Sequence, residues 1–329
     1  MRRRYSPRIV VLGGGTGLST MLRGLKNHSE NITAIVTVTD DGGGSGVLRR
    51  ELRMPPPGDI RNCIQALANA EPAMQEMMNY RFHDGSLAGQ SLGNLLLAAL
   101  YDMSPSFDAA VARLSQVLAI TGQVLPVTNE DIVLMAHFSD GAVVRGETSI
   151  TDYKLRSGAV IEHVFLEPAL PPALPAALDA LQTADMIVLG PGSLYTSVIP
   201  NLLTEGIAEA VRRSSAVKVY IMNVMTQPGE TEDYTASDHI RALFSHGGEG
   251  LFRYAVVNSR PIPDEIAGNY KKMNAAPVSA DADALRSMGV EPMFEPVASF
   301  QKGLVRHDPA ELARAIMNLY YEHAETRKA

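Results

Sequence analysis

The chain alternates short apolar runs with amphipathic segments. Residues 9–12 form a β-branched apolar run that stops at Gly13, Gly14, Gly15 and Gly17; Leu18, Met21, Leu22 and Leu25 then recur at helical spacing. This pattern predicts strand, glycine turn, helix. Residues 34–39 predict a second strand that ends at Asp40 and Asp41. A helix is expected from Ile60, with Ile64 and Leu67 on its apolar face and Asp59 as N-cap. Further helices are expected over 92–101 and 107–120. The βαβ rhythm argues for a parallel sheet covered by helices on both faces.

The texture changes after Leu125. Residues 131–138, 142–150 and 160–166 read as short strands joined by Ser-Asp-Gly and Arg-Ser-Gly turns, a small antiparallel insertion. A proline-rich link spans 168–175. The α/β rhythm then resumes with strands over 186–189, 217–222 and 255–257. The last helix is expected over 309–323, opened by Asp308, Pro309 and Glu311. The expected organisation is one α/β domain over 1–329. Its first half is 8–125, the antiparallel β insertion 126–170, and the second half, with the C-terminal helix, 176–329.

Composition narrows the function. The chain has 329 residues, 46% of them hydrophobic, and a net charge of -7. An acidic chain of this kind does not suit nucleic acid as main partner. No apolar run is long enough to span a bilayer, so membrane insertion is not expected. Arg2, Arg3 and Arg4 resemble the start of a signal peptide, but the apolar stretch behind them is short and broken by glycine. Cys63 is the only cysteine, which rules out an internal disulfide and suits a reducing cytoplasm. Its apolar helical surroundings mark it as a packed residue.

The candidate chemistry lies in the loops. Glycines let backbone approach an anion, and a helix N-terminus offers unpaired N–H groups. The first loop (Gly13, Gly14, Gly15, Thr16, Gly17) therefore suggests a phosphate site. It is not a Walker A loop, and it meets the G-x-G-x-x-G pattern incompletely because Leu18 stands at the third position. Asp40 and Asp41, followed by Gly42 and Gly43, could hold ribose hydroxyls or Mg²⁺; strand alternation would aim only one of them at a ligand. Asp59, Arg61 and Asn62 open one helix, and Ser91 and Asn94 open another. Gly190, Gly192, Ser193 and Thr196 repeat the strand–glycine–helix grammar. Asn223, Thr226 and Gln227 form an amide-rich loop after a further strand. There is no G-x-S-x-G elbow, no H-E-x-x-H and no cysteine nucleophile. Several such loops on one sheet edge would make a ligand site.

Taken in order, these loops resemble the family that contains YvcK and CofD, from Arg8 to about Pro309. Two positions depart from its pattern. Gly44 stands where the family usually has the first serine of Asp-Asp-Gly-Gly-Ser-Ser-Gly, and Gln90 replaces a usual histidine. Glutamine hydrogen-bonds but does not titrate, which weakens the case for catalysis more than for binding. The resemblance implies a three-layer, Rossmann-like α/β fold. It also implies nucleotide or phosphate contacts from the five residues of the first loop, Asp40, Asp41, Gly43, Asp59, Asn62, Ser91, Asn94, Gly190, Gly192, Ser193, Tyr195, Asn223, Thr226, Gln227 and Arg306, with Mg²⁺ on Asp40 or Asp41. No catalytic residue is assigned. Arg306 is expected beside the start of the last helix.

YvcK-like members are cytoplasmic and bind UDP-sugars such as UDP-N-acetylglucosamine. They support cell shape and envelope synthesis during gluconeogenic growth, which implies envelope-synthesis protein partners and is compatible with a homo-oligomer. CofD-like members instead transfer 2-phospholactate to a deazaflavin from a guanylyl donor with Mg²⁺. Aromatics make up only 6% of the chain and tryptophan is absent. That favours the nucleotide-sugar-binding regulator over the transferase. A dinucleotide-dependent oxidoreductase is the weakest of the three readings.

Overall fold

The computed structural model describes residues 6–326; the basic start over 2–4 lies outside the described residues. Seven parallel strands form the central sheet in the order β10-β9-β8-β7-β1-β2-β3. They are β1 (Ile9–Gly13), β2 (Ile32–Val36), β3 (Gln123–Pro126), β7 (Met186–Leu189), β8 (Val217–Ile221), β9 (Tyr254–Asn258) and β10 (Glu291–Glu295). The fold is therefore α/β with Rossmann-like layering, as the sequence pattern and the resemblance imply. β1 and β2 are buried along their whole length, as strands covered on both faces must be. The first helix, Gly15–Leu25, turns Leu18, Met21, Leu22 and Leu25 inward, all fully buried. Each stabilises the fold by roughly 1.5–3 kcal/mol relative to an exposed side chain.

The strand order fixes where a ligand can bind. From β1 the chain moves outward to β2 and β3, then returns to β7 on the other side of β1 and moves outward again to β10. The direction of winding reverses between β1 and β7. A crevice at the carboxyl edge, bordered by the loops after these two strands, is expected at such a reversal. Those loops carry Gly13–Gly17 and Gly190–Ser193.

The expected antiparallel insertion is present as β5-β4-β6: β4 (Val133–Phe138), β5 (Val143–Arg145) and β6 (Ile161–Glu167). One part of it differs. The strand expected over 142–150 ends at Arg145, and Glu147–Ser157 is a helix. Gly146, at φ +93°, breaks the strand, and Gly158, at φ +69°, closes the helix. Only Ile150 and Lys154 of that helix are buried, so its sequence has little apolar periodicity to read. The sequence reading also lacked the helix Gly43–Leu52, strands β3 and β10, and the hairpin of β11 (Ala298–Gln301) and β12 (Leu304–His307). No helix among the described residues is long and apolar enough to cross a membrane.

Candidate functional site

A cleft of about 350 Å³ opens where the winding reverses. Gly15, Thr16 and Gly17 line it from the β1 loop, Gly192 and Ser193 from the β7 loop, and Asn223, Thr226 and Gln227 from the β8 loop. Arg306 and His307 close it from β12. The structure thus brings nine of the sequence-predicted positions to one cavity, a volume typical of small-ligand sites. A larger cavity, about 920 Å³, lies on the other side of Thr226 between Lys154 and Lys271, but no glycine loop reaches it.

The glycines do two jobs. Gly15 has φ +67°, a conformation that glycine adopts without strain. Gly17 packs against the second loop: a Cβ there would lie 3.0 Å from the Pro191 carbonyl oxygen. The two loops therefore abut, and part of the glycine signal reflects loop-on-loop packing.

Asp59 does not cap its own helix. The helix runs Gly58–Leu67 with Pro57 at the N-cap, and the Asp59 carboxylate instead accepts the Gly15 N–H at 2.6 Å. Burial and the nearby Asp40 charge raise its pKa to about 6. The alternation argument for Asp40 and Asp41 does not apply either, because β2 ends at Val36. The two still diverge. Asp40 accepts the Gly42 N–H at 2.9 Å, and burial raises its pKa. Asp41 accepts the Thr148 N–H and hydroxyl at 3.0 and 2.7 Å, which ties it to the insertion helix.

Two carboxylates of this region were not singled out by the sequence. Glu147, the half-buried first residue of the insertion helix, has its pKa pushed well up by desolvation of its carboxylate and by the charges of Asp40, Asp59, Glu230 and Asp41. Glu230 is 1% exposed, and burial raises its pKa to about 7. Both lie far in sequence from Asp40 and Asp59; Glu147 fell inside the strand expected over 142–150, and Glu230 stands just beyond the amide-rich loop. Among the described residues, no group of three or more His, Cys, Asp or Glu is placed to chelate a metal. Mg²⁺ needs only one or two carboxylates when phosphates supply the rest. The crowding of Asp40, Asp59 and Glu147, which favours neutralisation, fits a cation carried in with a phosphorylated ligand.

The remaining predicted residues have other partners. Ser91 caps the Leu92–Asp102 helix by accepting the Asn94 N–H, and Asn94 Oδ1 accepts from the buried Arg61 Nε at 3.2 Å. Neither lines the cleft, nor does half-buried Asn62. Gly43 is exposed at the start of its helix. Gly190 is buried at the start of its loop, Tyr195 is buried with its hydroxyl 2.8 Å from that of Tyr234, and neither lines the cleft. Arg306 lies on β12, with Nη1 donating to the Val305 carbonyl at 3.0 Å. The last helix, Pro309–Thr326, does not offer its first N–H groups to the cleft, because Asp308 Oδ1 accepts those of Ala310 and Glu311. His307 donates from Nε2 to the Met222 carbonyl at 3.1 Å, and burial lowers its pKa to about 4, so it is a neutral donor. The two departures from the family pattern meet in space: a Cβ on Gly44 would lie 2.9 Å from buried Gln90 Oε1.

Comparison with known proteins bears on the family and the fold. The family model described as 2-phospho-L-lactate transferase CofD matches residues 9–298. The gluconeogenesis factor of Bacillus subtilis is 48% identical over 317 residues, 96% of this chain and 99% of that protein. The gluconeogenesis factor of Halalkalibacterium halodurans is 47% identical over 310 residues, 94% of this chain and 95% of its own. The X-ray structure of protein BH3568 from Bacillus halodurans superposes with a TM-score of 0.92 at 46% identity, covering 95% of this chain and 100% of that one. With matches of this extent, the chain belongs to the CofD family, on the branch of the gluconeogenesis factors.

Proposed function

We propose that this protein is a cytoplasmic nucleotide-sugar-binding regulator of gluconeogenic growth, with UDP-N-acetylglucosamine or a close relative as ligand. It acts on cell shape and envelope synthesis through protein partners. One observation carries the binding part: three strand-end loops and Arg306 converge on a single cleft at the point where the sheet reverses its winding. Backbone N–H groups of the glycine loops and the Arg306 guanidinium suit a diphosphate. The hydroxyls and amides of Ser193, Asn223 and Gln227 suit sugar and ribose. The names of the Bacillus and Halalkalibacterium relatives support the link to gluconeogenesis.

A Mg²⁺-dependent transfer of the CofD kind is the second reading, favoured by the crowded carboxylates Asp40, Asp59 and Glu147, of which Asp59 is bonded to the cleft residue Gly15. Calorimetry with UDP-N-acetylglucosamine, UDP-glucose and GDP, each with and without Mg²⁺, separates the two. The regulator binds a UDP-sugar without turnover. Binding of GDP alone, and only with Mg²⁺, would replace it with the transferase.

A further inference from the structure

We propose that Glu230 is a positioning residue that locks two of the cleft loops together and acts on the ligand through Gln227 and Ser193. The effect on ligand rests on the nucleotide-sugar reading of the cleft; the locking of the loops does not.

Glu230 sits behind the cleft, and all three of its hydrogen-bond partners are donors. Its Oε1 accepts from the Thr196 hydroxyl at 3.1 Å and from Gln227 Nε2 at 3.0 Å; its Oε2 accepts from the Tyr195 N–H at 3.3 Å. Tyr195 and Thr196 belong to the π-helical turn Leu194–Val198 that follows the second glycine loop. Gln227 belongs to the loop after β8. One buried carboxylate therefore joins the two loops.

The connection reaches the cleft wall. Gln227 must turn its NH₂ toward the carboxylate, since its carbonyl would be repelled there. Its Oε1 is then presented to Ser193, whose hydroxyl donates to it at 2.8 Å. Ser193 and Gln227 both line the cleft, whereas Glu230 does not. The carboxylate thus decides which atoms of these side chains remain for a ligand. A protonated carboxyl would add a fourth hydrogen among three donors, so the network requires the ionised form. Burial works against that form, and so do the charges facing Glu230: Glu232 from its own loop and Glu147 from the insertion helix. Lys154 of that helix pairs with Glu232 at 3.1 Å. From the π-helical turn, Tyr195 presents its backbone N–H, with its hydroxyl on Tyr234. The network is therefore intact above about pH 7 and opens as the pH falls through that value.

Glu230→Gln tests this in the full-length protein. Amide hydrogen exchange without ligand should accelerate about tenfold or more in residues 194–198 and 227–231, and stay unchanged in 13–17. UDP-N-acetylglucosamine affinity should fall about tenfold at pH 8. Affinity should weaken more from pH 8 to pH 6 in the wild type than in the variant, which keeps only the pH dependence of other groups such as Asp59, a difference that loss of packing would not produce. If Glu230→Gln does not fold, Thr196→Val removes one of the three bonds and should give the same exchange pattern at smaller amplitude. Unchanged exchange in both segments overturns the proposal. Accelerated exchange with no UDP-sugar binding by the wild type keeps the loop lock and refutes the function proposed above.

Discussion

The carboxylate of Asp59 accepts the backbone N–H of Gly15 at 2.6 Å, across 44 positions of chain. A donor that a phosphate-binding loop would present to its ligand is thus held by the protein's own acid. That acid is half-buried near Asp40, and loss of solvent around its carboxylate together with the Asp40 charge raises its pKa to about 6 from 3.8. In the unfolded chain Asp59 loses its proton first, so the folded state binds more protons between about pH 4 and 6, and stability falls as the pH rises through that window. Asp59→Asn keeps an oxygen for Gly15 and removes the charge. The expected result is a variant about 1–3 kcal/mol more stable than wild type at pH 8, with the difference vanishing near pH 4. His307 titrates in the opposite sense over an overlapping range, but it does so in both proteins. Thermal melts of the two proteins across pH 4–8 check this, and a constant difference would show that the Asp59 charge is not the cause.

Gly15→Val should weaken UDP-N-acetylglucosamine binding at least tenfold while the protein still folds. The residue lines the cleft at φ +67°, where a β-branched side chain costs roughly 1–2 kcal/mol. A Cβ there would lie 3.5 Å from Ser197 Oγ, so there is room for the first atom, and the branches extend from the cleft wall. Calorimetry on protein with an intact circular dichroism spectrum measures the effect. Wild-type affinity would remove the β1 loop from the site.

Arg306→Ala is expected to cost roughly 1.5–3 kcal/mol of UDP-sugar binding, the range for a hydrogen bond to a charged group. It should leave the ligand-free melting temperature nearly unchanged, because the side chain is exposed and anchored only locally, at the Val305 carbonyl. Arg306→Lys should recover part of the loss, since an ammonium cannot reproduce the two-pronged donor geometry. Equal affinity in all three proteins would place the diphosphate elsewhere.

Asp40→Asn and Asp41→Asn should behave differently. Asp41 holds the start of the Glu147–Ser157 helix through Thr148, so its loss should lower stability by about 1 kcal/mol and affect affinity little. Asp40 lies among the carboxylates beside Asp59, so its loss should abolish any gain in affinity from Mg²⁺. Titrations with and without Mg²⁺ settle the comparison. Equal, negligible effects of both changes would reduce the pair to a polar loop.

The legible part of the site was the part written locally. A strand that stops at glycine, with a helix behind it, is visible wherever it occurs, and the loops after β1 and β7 were found that way. The β8 loop announced itself by its amides. Glu147 and Glu230 carried no comparable signal: a carboxylate acquires a special role only when distant chain removes its water and brings other charges near. Arg306 was assigned to the site on its resemblance, but its support is a β-hairpin that the short apolar runs at 298–307 did not reveal.

The alternation of buried strands with amphipathic helices was sufficient by itself to determine a parallel α/β sheet with an antiparallel insertion, because side-chain periodicity records which face each segment buries. Sequence also marked the glycine- and amide-rich loops whose residues line the cleft. Tertiary structure alone decided which loops share a cavity, since that depends on strand order and on the reversal between β1 and β7. It alone decided that Asp59 serves Gly15 and that Ser91 and Asn94 serve their own helix and Arg61. Hydrogen-bond partners are chosen by distance in space, and separation along the chain does not encode it.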